Sequence, residues 1–145
     1  MKFIFNIEPQ SQLRPRAAFN RYTHQLGVYD PIKTRVFKQS LRSMAKEAMH
    51  DKVFAVDVPL SVELFFYRPV QKSLSKKERR LRLLGIHRPT VKSDLDNYIK
   101  ATLDSLNKIL WTDDRQIVDL TSHKYYSDHP RIEVIIKKVD EKDVA

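Results

Sequence analysis

Ser93-Asp-Leu-Asp-Asn-Tyr-Ile-Lys-Ala-Thr-Leu-Asp-Ser-Leu-Asn-Lys-Ile-Leu110, continuing as Trp111-Thr-Asp-Asp-Arg-Gln-Ile117, decides how this chain is organised. Leu95, Ile99, Leu103 and Leu106 recur at three and four residues, so Asp94 to Leu110 reads as an amphipathic helix. Ile117 to Tyr126 reads as the strand that follows it. Upstream, Leu60 to Tyr67 alternates apolar and polar positions, as a half-buried strand does. The same period runs from Lys2 to Glu8 through Phe3, Phe5 and Ile7. Residues 9 to 29 carry Pro, Gln, Arg and His without period and read as a basic loop. At Asp30-Pro31 a carboxylate can cap free amides and proline can fill the first helical position. From there Ile32, Val36, Phe37, Leu41, Met44, Ala45, Ala48 and Met49 form a helical stripe to about His50. Arg131 to Val139 reads as a last strand, joined to the preceding one by Ser127-Asp128-His129-Pro130, a turn suited to a hairpin. The expectation is an α+β fold in one domain over residues 1–139. It has a mixed four-stranded sheet, two main helices on one sheet face and a short basic helical insertion. Residues 140–145 read as a flexible tail.

The chain is strongly basic, with 27 Lys and Arg against 18 Asp and Glu, a formal charge of +9. A polyanionic partner, nucleic acid first, follows from counterion release. Arg68 to Lys92 holds nine Lys or Arg residues against Glu78 alone, which is most of that excess. Within it, Ser75 to Glu78 has the spacing of a capping box and Gly85 is placed to end a short helix. Such a run reads either as a solvated helical insertion or as a phosphate-binding arm, and its place just before an acidic cluster favours the arm.

That cluster, Asp94, Asp96, Asp113 and Asp114 with Lys100, runs against the rest of the composition. Aspartates repel phosphate, so a protein that only gripped an anion would gain nothing from them. A divalent cation neutralises them, and magnesium takes one or two carboxylates together with waters and substrate phosphates. Asp96 and Lys100 lie one helical turn apart, and Asp94 can converge on Asp96 if it lies in an extended lead-in. Aspartate at a helix start also serves simply as an N-cap. Of Asp113 and Asp114, adjacent in extended chain, one faces the cluster and the other is solvated or supporting.

Other chemistries lack their residues. There is no cysteine, which removes disulfides, thiolate zinc sites and cysteine nucleophiles. The five histidines have no ligand-like spacing. Two glycines cannot build a phosphate cradle, and the Asp-x-Asp-Asn string lacks the glycine and glutamate of a calcium loop. No stretch approaches a membrane span, and MKFIFNIEP is interrupted too early to be a signal peptide.

Ser93 to Asn107, followed by Trp111-Thr-Asp-Asp-Arg-Gln-Ile-Val118, resembles the signature of the RusA family of Holliday junction resolvases. The resemblance extends to the basic Arg14-Pro15-Arg16 loop, to Lys72-Ser-Leu-Ser-Lys-Lys77 and to the expected final hairpin. Two positions depart from it: Ser93 stands where many members have proline, and Lys108 where many have glycine. The resemblance implies that Asp94, Asp96 and Asp114 bind Mg2+ and that Lys100 is essential, which leaves Asp113 as the supporting member of the adjacent pair. It further implies a homodimer that makes paired, symmetric nicks in four-way DNA junctions during recombination and repair, in the cytoplasm of a bacterial or phage-infected cell. On this reading a metal-activated water attacks in line while Lys100 neutralises charge developing in the transition state or orients the water. Arg14, Arg16, Lys72, Lys76, Lys77, Arg79, Arg80, Arg88 and Lys92 are the candidate DNA-binding side chains, contacting backbone without reading bases. Two alternatives stay open: a non-cleaving branched-DNA binding protein of the same fold, and a metal nuclease acting on flaps or other branched DNA.

Overall fold

The computed structural model describes residues 1–49 and 54–139. The expected end of the first helix at His50 and the expected tail over 140–145 lie outside the described residues. The elements run β1 (Lys2–Phe5), β2 (Arg16–Asn20), β3 (Gln25–Tyr29), α1 (Ile32–Met49), β4 (Leu60–Pro69), α2 (Lys76–Leu83), α3 (Leu95–Leu106), β5 (Ile117–Ser127) and β6 (Arg131–Lys138). A single turn of 3-10 helix, Asp114–Gln116, precedes β5. The fold is α+β with a mixed four-stranded sheet in the order β1-β6-β4-β5.

β4 is the centre of this sheet, and its strict alternation sends Leu60, Val62, Leu64 and Phe66 to one face. On that face Val62, Leu64 and Phe66 meet Ile136, Val134 and Ile132 of β6 directly across the ladder. Helices α1 and α3 supply the opposing wall. Phe37, Leu41, Ala45 and Met49 from one and Tyr98, Ala101 and Leu106 from the other join the same buried cluster. Burial of side chains this size contributes about 1.5–3 kcal/mol each, which is why the alternating period decides the sheet's orientation. Among the described residues the other face, with Phe65, Tyr67, His123 and Tyr125, carries no main helix.

The predicted hairpin between the last two strands is not formed. β5 runs parallel to β4 and β6 runs antiparallel to it, so the two flank the same strand and do not touch. The order β4, α3, β5 is a strand-helix-strand crossover, and a parallel pair needs such a connection. Ser127 to Pro130 therefore carries the chain across the end of β4, and local turn chemistry could not reveal the intervening strand.

Residues 9–29 are not a plain loop, because β2 and β3 pair antiparallel from Arg16↔Tyr29 to Asn20↔Gln25. This hairpin was illegible because its apolar residues are not buried: Phe19 is 59%, Leu26 76% and Val28 73% exposed. β1 stops at Phe5, where Ile7 N donates back to Phe5 O at 2.8 Å in a tight turn. In α1, Phe37, Leu41, Ala45 and Met49 are core, whereas Ile32, Val36 and Ala48 face solvent. The Asp30 carboxylate does not cap α1 but accepts from Lys38 Nζ at 2.9 Å and Gln12 Nε2 at 3.0 Å. The basic insertion behaves as its spacing predicts: Ser75 Oγ accepts from Glu78 N at 3.2 Å, and Gly85 adopts φ +77° beyond the helix end. Glu78 does not complete the box, since its carboxylate takes Arg82 and His87 instead.

Helix α3 ends at Leu106 and not at Leu110, since Asn107 is extended and Lys108 turns left-handed at φ 67°. Residues Asn107 to Trp111 then close a short loop through a bridge between those two residues, with Ile109, Leu110 and Trp111 buried. Ser93 also has positive φ, at 105°. Proline cannot adopt that angle, so the lead-in to α3 takes a path here that a proline at this position forbids.

Candidate nucleic-acid cleavage site

The N-terminal end of α3 presents two exposed carboxylates. Asp94 is its N-cap residue, extended at φ −67° and ψ 143°, and its side chain makes no capping bond. It is exposed, as is Asp96 in the first turn, whose Oδ1 accepts from Asn97 N at 3.0 Å. Acids here are favoured by the helix dipole, so their placement costs little. Cations ring this end. Lys100 stands exposed one turn below Asp96; the Lys38 hydrogen bond chiefly holds the Asp30 carboxyl below its ordinary value, and the field of Lys100 adds a small share. Lys124 of β5 donates to Ser93 O at 3.2 Å, and Arg68 at the end of β4 donates to Lys92 O at 2.8 Å.

Asp114 lies at the opposite end of the helix. Its backbone N donates to Asn107 Oδ1 at 3.1 Å, and its Oδ1 accepts from the indole N–H of Trp111 at 2.6 Å. Burial pushes the Asp114 carboxyl above its ordinary value, while the Trp111 hydrogen bond works against that shift; Asp104 and Asp113 add to it. At 1.5 Å per residue, the twelve residues of α3 separate this group from Asp94 by about 18 Å. Magnesium–oxygen bonds are about 2 Å long, so Asp114 cannot share an ion with Asp94 and Asp96 of the same chain. Consistently, among the described residues no three His, Asp or Glu side chains are grouped to hold a metal. The expected three-acid set does not fit a metal within one chain. Asp94, Asp96 and Lys100 share the first turns of α3, and Asp114 lies beyond its other end.

Asp113 caps the 3-10 turn, its carboxylate accepting from Arg115 N at 2.9 Å. Gln116 completes that cap: its side-chain oxygen accepts from Thr112 N and Asp113 N, and its amide donates to Ala55 O and Val58 O. The Gln that follows the paired acids in the sequence thus locks the loop that carries Asp114, a structural use that its position beside two acids did not disclose.

The candidate DNA-binding side chains divide. Arg14 and Arg16 lie exposed at the foot of the β2–β3 hairpin, and Lys72, Lys76, Lys77, Arg80 and Lys92 are exposed on or beside the insertion. Lys76, Arg79 and Arg80 line one depression of α2 together with Leu83 and Leu84. Arg79 pairs with Asp128. Arg88 is tied into the domain, its guanidinium 4.2 Å over the Tyr125 ring and its Nε donating to Lys124 O. Arg68 and Lys124, absent from the sequence-based set, border the Asp94 end; their signal was the βαβ order, which brings the ends of β4 and β5 to the start of α3.

No described helix is long and apolar enough to cross a membrane. The sequence profile of the family described as endodeoxyribonuclease RusA matches residues 6–137. A relative from Bacillus subtilis (strain 168), the uncharacterized protein YqaN, is 38% identical over 141 residues, 96% of each chain. With that match extending over β4, β5, most of β6, the basic insertion, α3 and the Asp114 turn, the chain belongs to the RusA family of endodeoxyribonucleases.

Proposed function

We propose that this protein is a Mg2+-dependent endonuclease that resolves four-way DNA junctions as a homodimer, in the cytoplasm of a bacterial or phage-infected cell. The observation that carries this reading is the exposed Asp94–Asp96 pair with Lys100 one turn away, at a helix end ringed by cations in a RusA-family chain. Carboxylates so placed are costly for a protein that only holds DNA and suited to one that brings a cation to a phosphate. Asp94 and Asp96 are the ligands one chain offers. A bound divalent ion would supply Lewis-acid activation of the scissile phosphate. Lys100 is a compact point charge within reach of the same region, suited to charge that builds as the phosphodiester bond breaks. Asp114, about 18 Å away along α3 in its own chain, serves the neighbouring copy in this reading, so each site draws on two chains.

The test has two arms. Labelled four-way junction, flap and linear duplex are incubated with Mg2+ or EDTA; junction-selective nicking that EDTA abolishes is expected. Junction binding without nicking under any metal would replace this reading by the non-cleaving one, and equal cutting of flaps would replace it by a general branched-DNA nuclease. For the shared site, Asp94→Asn and Asp114→Asn chains are each inactive alone and are then mixed. Mixed dimers retain one intact site and nick once only if Asp114 acts in the partner; no rescue on mixing places Asp114 outside the reacting group.

A further inference from the structure

We propose that the free edge of β5 is a self-pairing surface, on which a second copy of this chain adds its own β5 in antiparallel register centred on Leu120. The inference builds on the homodimer of the proposed function and names the surface that makes it. β5 is an outer strand of the sheet and is 11 residues long, against four for β1 at the other edge. Long unprotected edges template the addition of another strand, and proteins normally shorten, charge or cover them. Here only the upper half is covered. Arg82 of α2 lies 4.6 Å over the Tyr126 ring, and Arg88 takes the Lys124 carbonyl. Below that point, among the described residues, no hydrogen bond outside the sheet ladder reaches the backbone of residues 118–123. Val118 is 57% and Leu120 42% exposed, so the bare segment is also apolar.

The register follows from backbone parity. Alternate residues of a parallel strand turn both their N–H and C=O to the same side. Lys124 gives its carbonyl to Arg88, and the same set contains Ser122 and Leu120; the register against β4 shifts between Ile117 and Asp119, so the alternation is counted only above that shift. Pairing around Leu120 lets those residues bond to the partner. It sets Leu120 against itself and Asp119 against the partner's Thr121. A centre at Asp119 would instead face two carboxylates across the two-fold axis, which is destabilising. Charge supports the same choice. The acidic turn at Asp113 and Asp114, just before β5, comes to the upper end of the partner strand, where Lys124 reaches toward Ser93.

The chain has no cysteine, so introduced thiols report the register without background. Residues directly opposed across an antiparallel pair have Cα atoms about 5 Å apart, within disulfide reach. Leu120→Cys should therefore give covalent dimer on mild oxidation. Ser122→Cys should not, because the two thiols would be about 13 Å apart along the strand, whereas Asp119→Cys with Thr121→Cys should. Leu120→Pro removes an edge donor that the β4 ladder does not use. It should keep the far-ultraviolet spectrum of the fold and lower the dimer association constant at least 100-fold by sedimentation. A folded Leu120→Pro chain that stays dimeric, or a dimeric Leu120→Cys chain that does not cross-link, overturns the proposal, as does an intact protein that remains monomeric at micromolar concentration. The junction assay on the intact chain separates the two readings. Cross-linking without nicking leaves this interface standing and removes the proposed function, and nicking without cross-linking does the reverse.

Discussion

Removing the indole N–H that holds Asp114, by Trp111→Phe, tests the account of that carboxylate directly. Trp111 is fully buried and donates to Asp114 Oδ1 at 2.6 Å. A hydrogen bond to a charged acceptor contributes about 1.5–3 kcal/mol. Replacing the indole by a phenyl ring also leaves a void whose cost is about 1–2 kcal/mol, below the 3–5 typical of full truncation to alanine. The variant should therefore lose about 2.5–5 kcal/mol at pH 7, a large share of the 5–15 kcal/mol typical of a domain. Asp114→Asn behaves differently, since the amide oxygen can still accept from Trp111 and the buried charge is gone. Because burial has raised the Asp114 carboxyl above its unfolded value, the charged form is disfavoured in the fold. Wild-type stability arising from this group is thus lowest at neutral pH and rises as pH falls through the folded value toward 3.8. Asp114→Asn should be neutral to stabilising at pH 7, and that advantage should vanish at low pH. Urea titrations of both single variants and the double variant, at pH 7 and pH 4, close the cycle; a coupling of about 1–2 kcal/mol at pH 7 is expected. Additive effects within about 0.3 kcal/mol, or an Asp114→Asn chain that loses more stability at pH 7 than at pH 4, would refute both the bond and the direction of the shift.

Asp96→Asn should abolish nicking while leaving junction binding equal or tighter, because it removes a proposed ligand and a charge that repels phosphate; binding lost together with cleavage would mark Asp96 as a structural residue of the α3 start. Neutralising Lys76, Lys77 and Arg80, all exposed on α2, should weaken binding to junctions of any sequence. The slope of log K against log salt should flatten by about 0.9 for each phosphate the variant no longer neutralises. Unchanged binding at moderate salt would leave α2 a solvated surface. Lys108→Gly should raise the urea midpoint, adding about 0.5–1 kcal/mol, because the native φ of 67° is strained for lysine and free for glycine; a lower midpoint would show that the Lys108 side chain contributes more than its backbone costs.

Periodic burial was readable from the residues alone, and with it β1, α1, β4, the insertion helix and α3. A strand or helix must turn its apolar side to one core, and Leu60, Val62, Leu64 and Phe66, or Phe37, Leu41 and Ala45, announce that side in their spacing. The acidic signature and the RusA resemblance were legible for the same reason, being strings of adjacent residues. What sequence could not supply was which separate segments meet. The β2–β3 hairpin buries none of its apolar residues, so no period marked it, and the C-terminal strands, neighbours in sequence, are parted by β4 because the backbone N–H and C=O groups of a buried strand point to both of its edges and each edge takes one of them. Asp94 and Asp114 stand close in sequence pattern and at opposite ends of α3 in space, since a helix of twelve residues converts a short interval of chain into about 18 Å of distance. The tertiary structure alone decides that one chain carries the two parts of its acidic set apart, and it leaves the edge of β5 open beside them.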